Sequence, residues 1–154
     1  MKAVAILDTS ILLELLHVPG RHSTDLHLER EVARRRRDLQ ESLLLPVAAI
    51  LETGNHIGRL ADGRERRLFA SKFVQVVEFA LNNQAPFSAV GARLDDLRAW
   101  LPFFVDWVTP RAREFTDLSI QRVFEQQCAL HIARRVYVWS LDSDLAGLDR
   151  PPRL

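Results

Sequence analysis

The chain is short of several residue types, and each scarcity removes a class of protein. A single cysteine, Cys128, among 154 residues excludes an internal disulfide framework and a cysteine-based zinc site. Lying in a predicted helix over 121–133, it reads as a small buried thiol. No apolar run approaches the roughly 18 residues that a membrane-spanning helix needs. The apolar opening runs straight into Asp8, without the length or small-residue cleavage site of a secretory signal, so a cytoplasmic protein without a membrane partner is expected. Lysine is scarce beside arginine, and the formal net charge is only +1. Basic residues nevertheless gather at 34–37, 64–67 and 134–135, where local patches are able to meet phosphates. The chain has neither GxGxxG nor GxxxxGK[ST], which disfavours the common nucleotide-binding folds. The GxSxG nucleophile elbow is missing too.

What is present is an alternation of short apolar runs and amphipathic stretches. Residues 3–7 (AVAIL) are a continuous apolar run, as expected of a strand buried on both faces. Asp8-Thr9-Ser10 follows, and Ile11, Leu12, Leu15 and Leu16 then recur at helical spacing, with Thr9 or Ser10 as N-cap. Pro19-Gly20 closes that helix. Residues 23–41 read as a charge-laced helix, 43–45 as a strand, and Pro46 as the start of a helix carrying Glu52. Further helices are predicted over 68–81, over 94–108 with a kink at Pro102, and over 117–133 with Thr116 as N-cap. Strands are predicted over 87–90 and 136–139. The pattern implies an α/β fold with a central, mostly parallel sheet, as one domain over 1–150 followed by a loose tail over 151–154.

In open parallel sheets, ligands bind beyond the carboxyl ends of the strands. Asp8 follows the first strand and Asp142 the last, so parallel strands would set both carboxylates on one edge. Asp117 opens a helix returning from that edge, and Glu52 lies in the helix reached from the second strand. Clustered carboxylates repel, and they either take up protons or bind a cation. Hard oxygen ligands suit Mg²⁺ or Mn²⁺, which polarises a phosphodiester and acidifies water. Each acid also has a plain structural reading, as a cap, a turn former or an exposed helix residue.

Four segments, in order, resemble the PIN-domain family: Ile6-Leu7-Asp8-Thr9-Ser10, Pro46-Val47-Ala48-Ala49-Ile50-Leu51-Glu52, Phe115-Thr116-Asp117-Leu118, and Val138-Trp139-Ser140-Leu141-Asp142-Ser143-Asp144. The resemblance covers nearly the whole chain. It implies a three-layer α/β/α fold and a metal-dependent ribonuclease, with Asp8, Glu52, Asp117 and Asp142 as the acidic quartet binding Mg²⁺ or Mn²⁺. Asp144 would be a reserve ligand, and Ser140, Thr9 and Asn55 would support the ligands. Bacterial members of this length are usually the toxin of a toxin–antitoxin pair, so an RNA substrate, an antitoxin partner and a homodimer are further implications. The stretch from Asp117 to Asp142 is longer than in compact members, and the residues after Asp117 are less small.

Two rival functions follow from the same residues. One is a PIN-like module that binds or assembles without catalysis. The other is a phosphotransferase forming an aspartyl-phosphate on Asp8, although the haloacid-dehalogenase pattern requires a second Asp where Ser10 stands. The arginines at 34–37 point all around a helix, so a solvated face paired with nearby acids is the plain reading and a phosphate or antitoxin contact the functional one. Trp100, Phe103, Phe104 and Trp107 recur at helical spacing, which suits a core or subunit contact better than base stacking. The five histidines show no convincing ligand spacing.

Overall fold

The computed structural model describes residues 2–21 and 27–153. His22 and the predicted start of the second helix, 23–26, lie outside the described residues, as does Leu154. Among the described residues, four parallel strands form the sheet, β1 (Val4–Leu7), β2 (Ser42–Pro46), β3 (Phe87–Val90) and β4 (Val136–Trp139), joined by a two-residue antiparallel edge strand, β5 (Asp149–Arg150), in the order β3-β2-β1-β4-β5. Successive residues on a strand face opposite ways, and the two cores follow that rule. Ala5, Leu7, Leu43, Leu45 and Tyr137 pack with α1 (Thr9–Leu15), α2 (Leu28–Arg37), α3 (Val47–Gly58) and α4 (Gly63–Leu81). Val4, Ile6, Val136 and Val138 pack on the other face, with α5 (Leu94–Val108), α6 (Phe115–Leu130) and the short α7 (Ser143–Ala146). The result is the expected three-layer α/β/α sandwich around a mostly parallel sheet.

Several local expectations shift. Asp8, not Thr9 or Ser10, is the residue preceding α1, because both hydroxyls are used elsewhere. Pro46 ends β2 and N-caps α3 rather than lying inside it. The fourth helix starts five residues early, since Asp62 accepts hydrogen bonds from Arg64 and Glu65 N–H at 2.8 and 2.9 Å. Thr116 lies inside α6, whose N-cap is Glu114. Pro102 is accommodated within a continuous α5. Residues 151–153 are not fully loose, because Arg153 N–H donates to the Ile132 carbonyl at 2.9 Å. Neither α7 nor β5 has a sequence signal long enough to read.

Candidate active site

Strand order reverses around β1, whose neighbours are β2 and β4. Connections leaving this point run to opposite sides, so a crevice forms beyond the carboxyl ends of β1 and β4. Asp8 leaves β1 there and its N–H continues the ladder onto the Trp139 carbonyl at 3.0 Å. Its carboxylate is buried. Oδ2 accepts hydrogen bonds from Ser140 Oγ at 2.7 Å and Ser10 Oγ at 2.8 Å. Both hydroxyls accept in turn: Ser140 Oγ from Asp142 N–H at 2.9 Å, and Ser10 Oγ from Leu141 N–H at 3.0 Å. Two strand ends are thereby joined through one carboxylate oxygen.

Glu52 comes from α3. Its Oε2 accepts from the buried Thr9 hydroxyl at 2.9 Å, and its Oε1 lies 3.6 Å from His56 Nε2 one turn later. Asp142 precedes α7 and accepts from Asp144 N–H at 2.9 Å. Asp144, the reserve ligand of the sequence reading, is half-exposed and ion-paired with Arg111 at 2.9 Å. Asn55 is exposed and faces a cavity beside Glu52.

Asp117, in the first turn of α6, is half-buried. Its carboxyl is pushed up to about 6 from an ordinary 3.8, first by loss of water and then by the negative charges of Asp8, Glu52, Asp142 and Glu114. The four predicted acids therefore share one electrostatic neighbourhood. Among the described residues, no three side chains of the His, Cys, Asp and Glu types stand close enough, as arranged, to hold one ion. Charges act on one another over several ångströms, whereas direct ligation of Mg²⁺ needs about 2 Å. The donor set is all carboxylate oxygen, and Mg²⁺ keeps several of its waters, so the chemistry of the cluster fits that ion.

A cavity of about 520 Å³ opens beside Glu52, between α3, α5 and α6 and the ends of β2 and β3. The sequence reading missed it, together with Ser10 as a support for Asp8, and His56 and Arg111. His56 had a usable signal, its spacing of one helical turn from Glu52. Arg111 had none.

Several arginines of the basic runs are engaged within the fold. Arg34 pairs with Glu31 through Nη2 at 2.7 Å. Arg35 is tucked over the Trp139 ring at 4.2 Å, ion-paired with Glu31 at 2.8 Å and Glu41 at 3.2 Å. Arg66 caps the Leu60 and Ala61 carbonyls. Arg134 donates to the Lys2 and Ala3 carbonyls, and Arg135 grips Asp149 with two bonds. The last two lie at the amino ends of the strands, away from the acids. Of the aromatics, Trp100 is core, Phe104 packs edge-on against Phe115 at 5.1 Å, and Phe103 and Trp107 lie under Arg122 and Arg113.

A parallel α/β sandwich with acids gathered at its switch point defines a class of fold rather than an activity. No protein-family model matches the chain, and no curated protein sequence does. The structure, however, is similar to the crystal structure of Mycobacterium tuberculosis VapC20, described as a sarcin-ricin loop cleaving toxin. The match has a TM-score of 0.59 at 17% identity, and covers 93% of this chain and 95% of that one. The fold is therefore the VapC-like PIN fold.

Proposed function

We propose that this protein is a metal-dependent endoribonuclease that hydrolyses RNA phosphodiester bonds. The observation carrying the proposal is the meeting of Asp8, Glu52, Asp117 and Asp142 at the switch point, where loss of water and then the charges of the other acids push the Asp117 carboxyl up to about 6. Asp8, Asp117 and Asp142 would hold a Mg²⁺ or Mn²⁺ ion, and Glu52 would bind it or orient water. When bound, the cation supplies charge to polarise the phosphodiester and a more acidic water. The protein's own part is positioning. Ser10 and Ser140 occupy Oδ2 of Asp8 and leave Oδ1 for a ligand, Thr9 fixes Glu52 through Oε2, and Asp144 N–H holds Asp142. Held carboxylates lose little freedom when they bind.

The structural likeness to a VapC toxin supports a toxin role, and with it an antitoxin partner, as part of the same proposal. Self-association as a homodimer is supported by an exposed apolar stripe on α5, made of Leu94, Leu101 and Val105. The alternative that the same fold permits is a PIN-like module that binds without catalysis.

Cleavage of RNA by the purified protein with Mg²⁺, Mn²⁺ or EDTA, beside folded Asp8→Asn and Asp142→Asn variants, separates the two. Cleavage that needs the cation and disappears in both variants is expected. Failure to cleave varied RNAs, with no Mn²⁺ binding by calorimetry, would leave the binding module.

A further inference from the structure

We infer that the cavity beside Glu52 is a nucleobase site, taking one unstacked base of a single-stranded RNA segment next to the bond that is cut. The inference rests on the ribonuclease reading and adds to it where the substrate lies. Glu52 belongs both to the acid cluster and to the cavity wall. A ligand group inside the cavity therefore has its next covalent neighbour within reach of the carboxylates.

The lining combines apolar and polar groups. Leu97, Val123 and Trp100 are apolar, as is Leu51, 64% exposed, while the start of α6 adds Glu114, Thr116 and Ser119. From α3 come Asn55, His56 and Arg59. These lie three, four and seven residues after Glu52, which puts all four on one helical face. A volume of about 520 Å³ falls within the range of small-molecule pockets and exceeds what one side chain fills.

A flat ring with a polar edge satisfies both kinds of group. Its faces lie against apolar groups, an amide such as Asn55 offers a donor and an acceptor to the edge, and Arg59 supplies a cation for the attached phosphate. An aliphatic side chain from a protein partner would strip water from Asn55, His56 and Arg59 and return no hydrogen bonds, a costly exchange. The wall chemistry thus favours a base over a peptide.

The test uses the full chain in EDTA, so that nothing is cut. AMP, GMP, CMP and UMP are titrated while amide and indole N–H signals are followed by NMR. A six-nucleotide RNA, intact or with one abasic position moved along it, is titrated by fluorescence anisotropy against wild type and Ala92→Phe. Ala92 is an exposed residue on the cavity rim, so the larger ring blocks the mouth without disturbing the core, as an unchanged melting curve would verify. We expect at least one nucleotide to move the Trp100 indole signal and those of 55–59. Blocking the mouth should weaken RNA binding roughly ten-fold, the effect of losing one stacked base. One abasic position should cost wild type the same and the variant nothing further.

Equal RNA affinity in Ala92→Phe, or abasic losses that add fully to the variant's, would overturn the site. So would cavity signals that respond to leucine-bearing peptides and to no nucleotide. RNA cleavage by an otherwise active protein without cavity signals removes this site and keeps the nuclease. Nucleotide occupancy without cleavage under any cation keeps the site and removes the nuclease.

Discussion

The Ser140 hydroxyl donates to Asp8 Oδ2 at 2.7 Å across 132 residues of chain. The bond exists because β1 and β4 are parallel neighbours in register, with Leu7 opposite Trp139. One hydroxyl thus couples a buried carboxylate to the main chain of Asp142, since Ser140 Oγ also accepts Asp142 N–H. Replacing Ser140 by Ala should lower Mn²⁺ affinity, or the cleavage rate, by roughly 10- to 100-fold, the usual effect of losing a group that orients a ligand. Calorimetry on the folded variant checks this, and a change below two-fold would show that Asp8 is held by Ser10 alone.

Asp117 makes the metal-free protein sensitive to pH. Its folded value, about 6, lies above the ordinary 3.8, so between those values the folded state binds more protons than the unfolded. The stability contributed by this group is full below about 3.8 and is lost as pH rises through 6. Asp117→Asn removes the loss, and should raise stability in EDTA at pH 8 by on the order of 1 kcal/mol, after discounting for solvent around a half-exposed group. At pH 4 the two proteins should melt alike. A variant that melts lower than wild type at pH 8 would contradict the shared acidic field.

The arginine run predicts a stability effect rather than an RNA effect. Glu41 is buried, with its carboxyl raised by loss of water, and accepts the Tyr137 hydroxyl at 2.6 Å beside Arg35. Arg35→Met leaves that carboxylate without its cation, at a cost of about 3 kcal/mol. Tyr137→Phe removes a hydroxyl that donates to Glu41 and accepts from Arg35, and should cost about 1–3 kcal/mol. Urea unfolding measures both. An Arg35→Met protein as stable as wild type, but with weakened RNA binding, would restore the phosphate-contact reading of 34–37.

Asp142 and Asp144 should differ sharply despite their closeness in sequence. Asp144 is held by Arg111 in a half-exposed pair, which contributes little to stability. Asp144→Asn is therefore expected to change Mn²⁺ affinity by less than about three-fold, whereas Asp142→Asn should abolish measurable binding, by analogy with other essential metal ligands. Equal losses from the two substitutions would make Asp144 a direct ligand.

Much of the fold was legible because its signals are local. The apolar run over 136–139 and the turn chemistry around Pro86 located β4 and β3, and both strands fall where predicted. Boundaries set by a single side chain were not legible. Whether Thr9 caps a helix or donates to Glu52 depends on a partner 43 residues away, and no propensity carries that information. The early start of α4 is a different case, since the Asp62 cap was there to be read and the basic run at 64–67 obscured it.

By itself, the sequence determined the α/β layering, through the alternation of short apolar runs with amphipathic helices, and its resemblance to the PIN-domain family picked out Asp8, Glu52, Asp117 and Asp142 as one acidic set. Only the tertiary structure decided what surrounds them. It put Asp117 within the fields of Asp8, Glu52 and Asp142, gave Asp144 to Arg111, set His56 against Glu52, and left a cavity along one face of α3. Burial and Coulomb interactions depend on distance through space, and distance between residues far apart in the chain is fixed only when strands pair and helices pack.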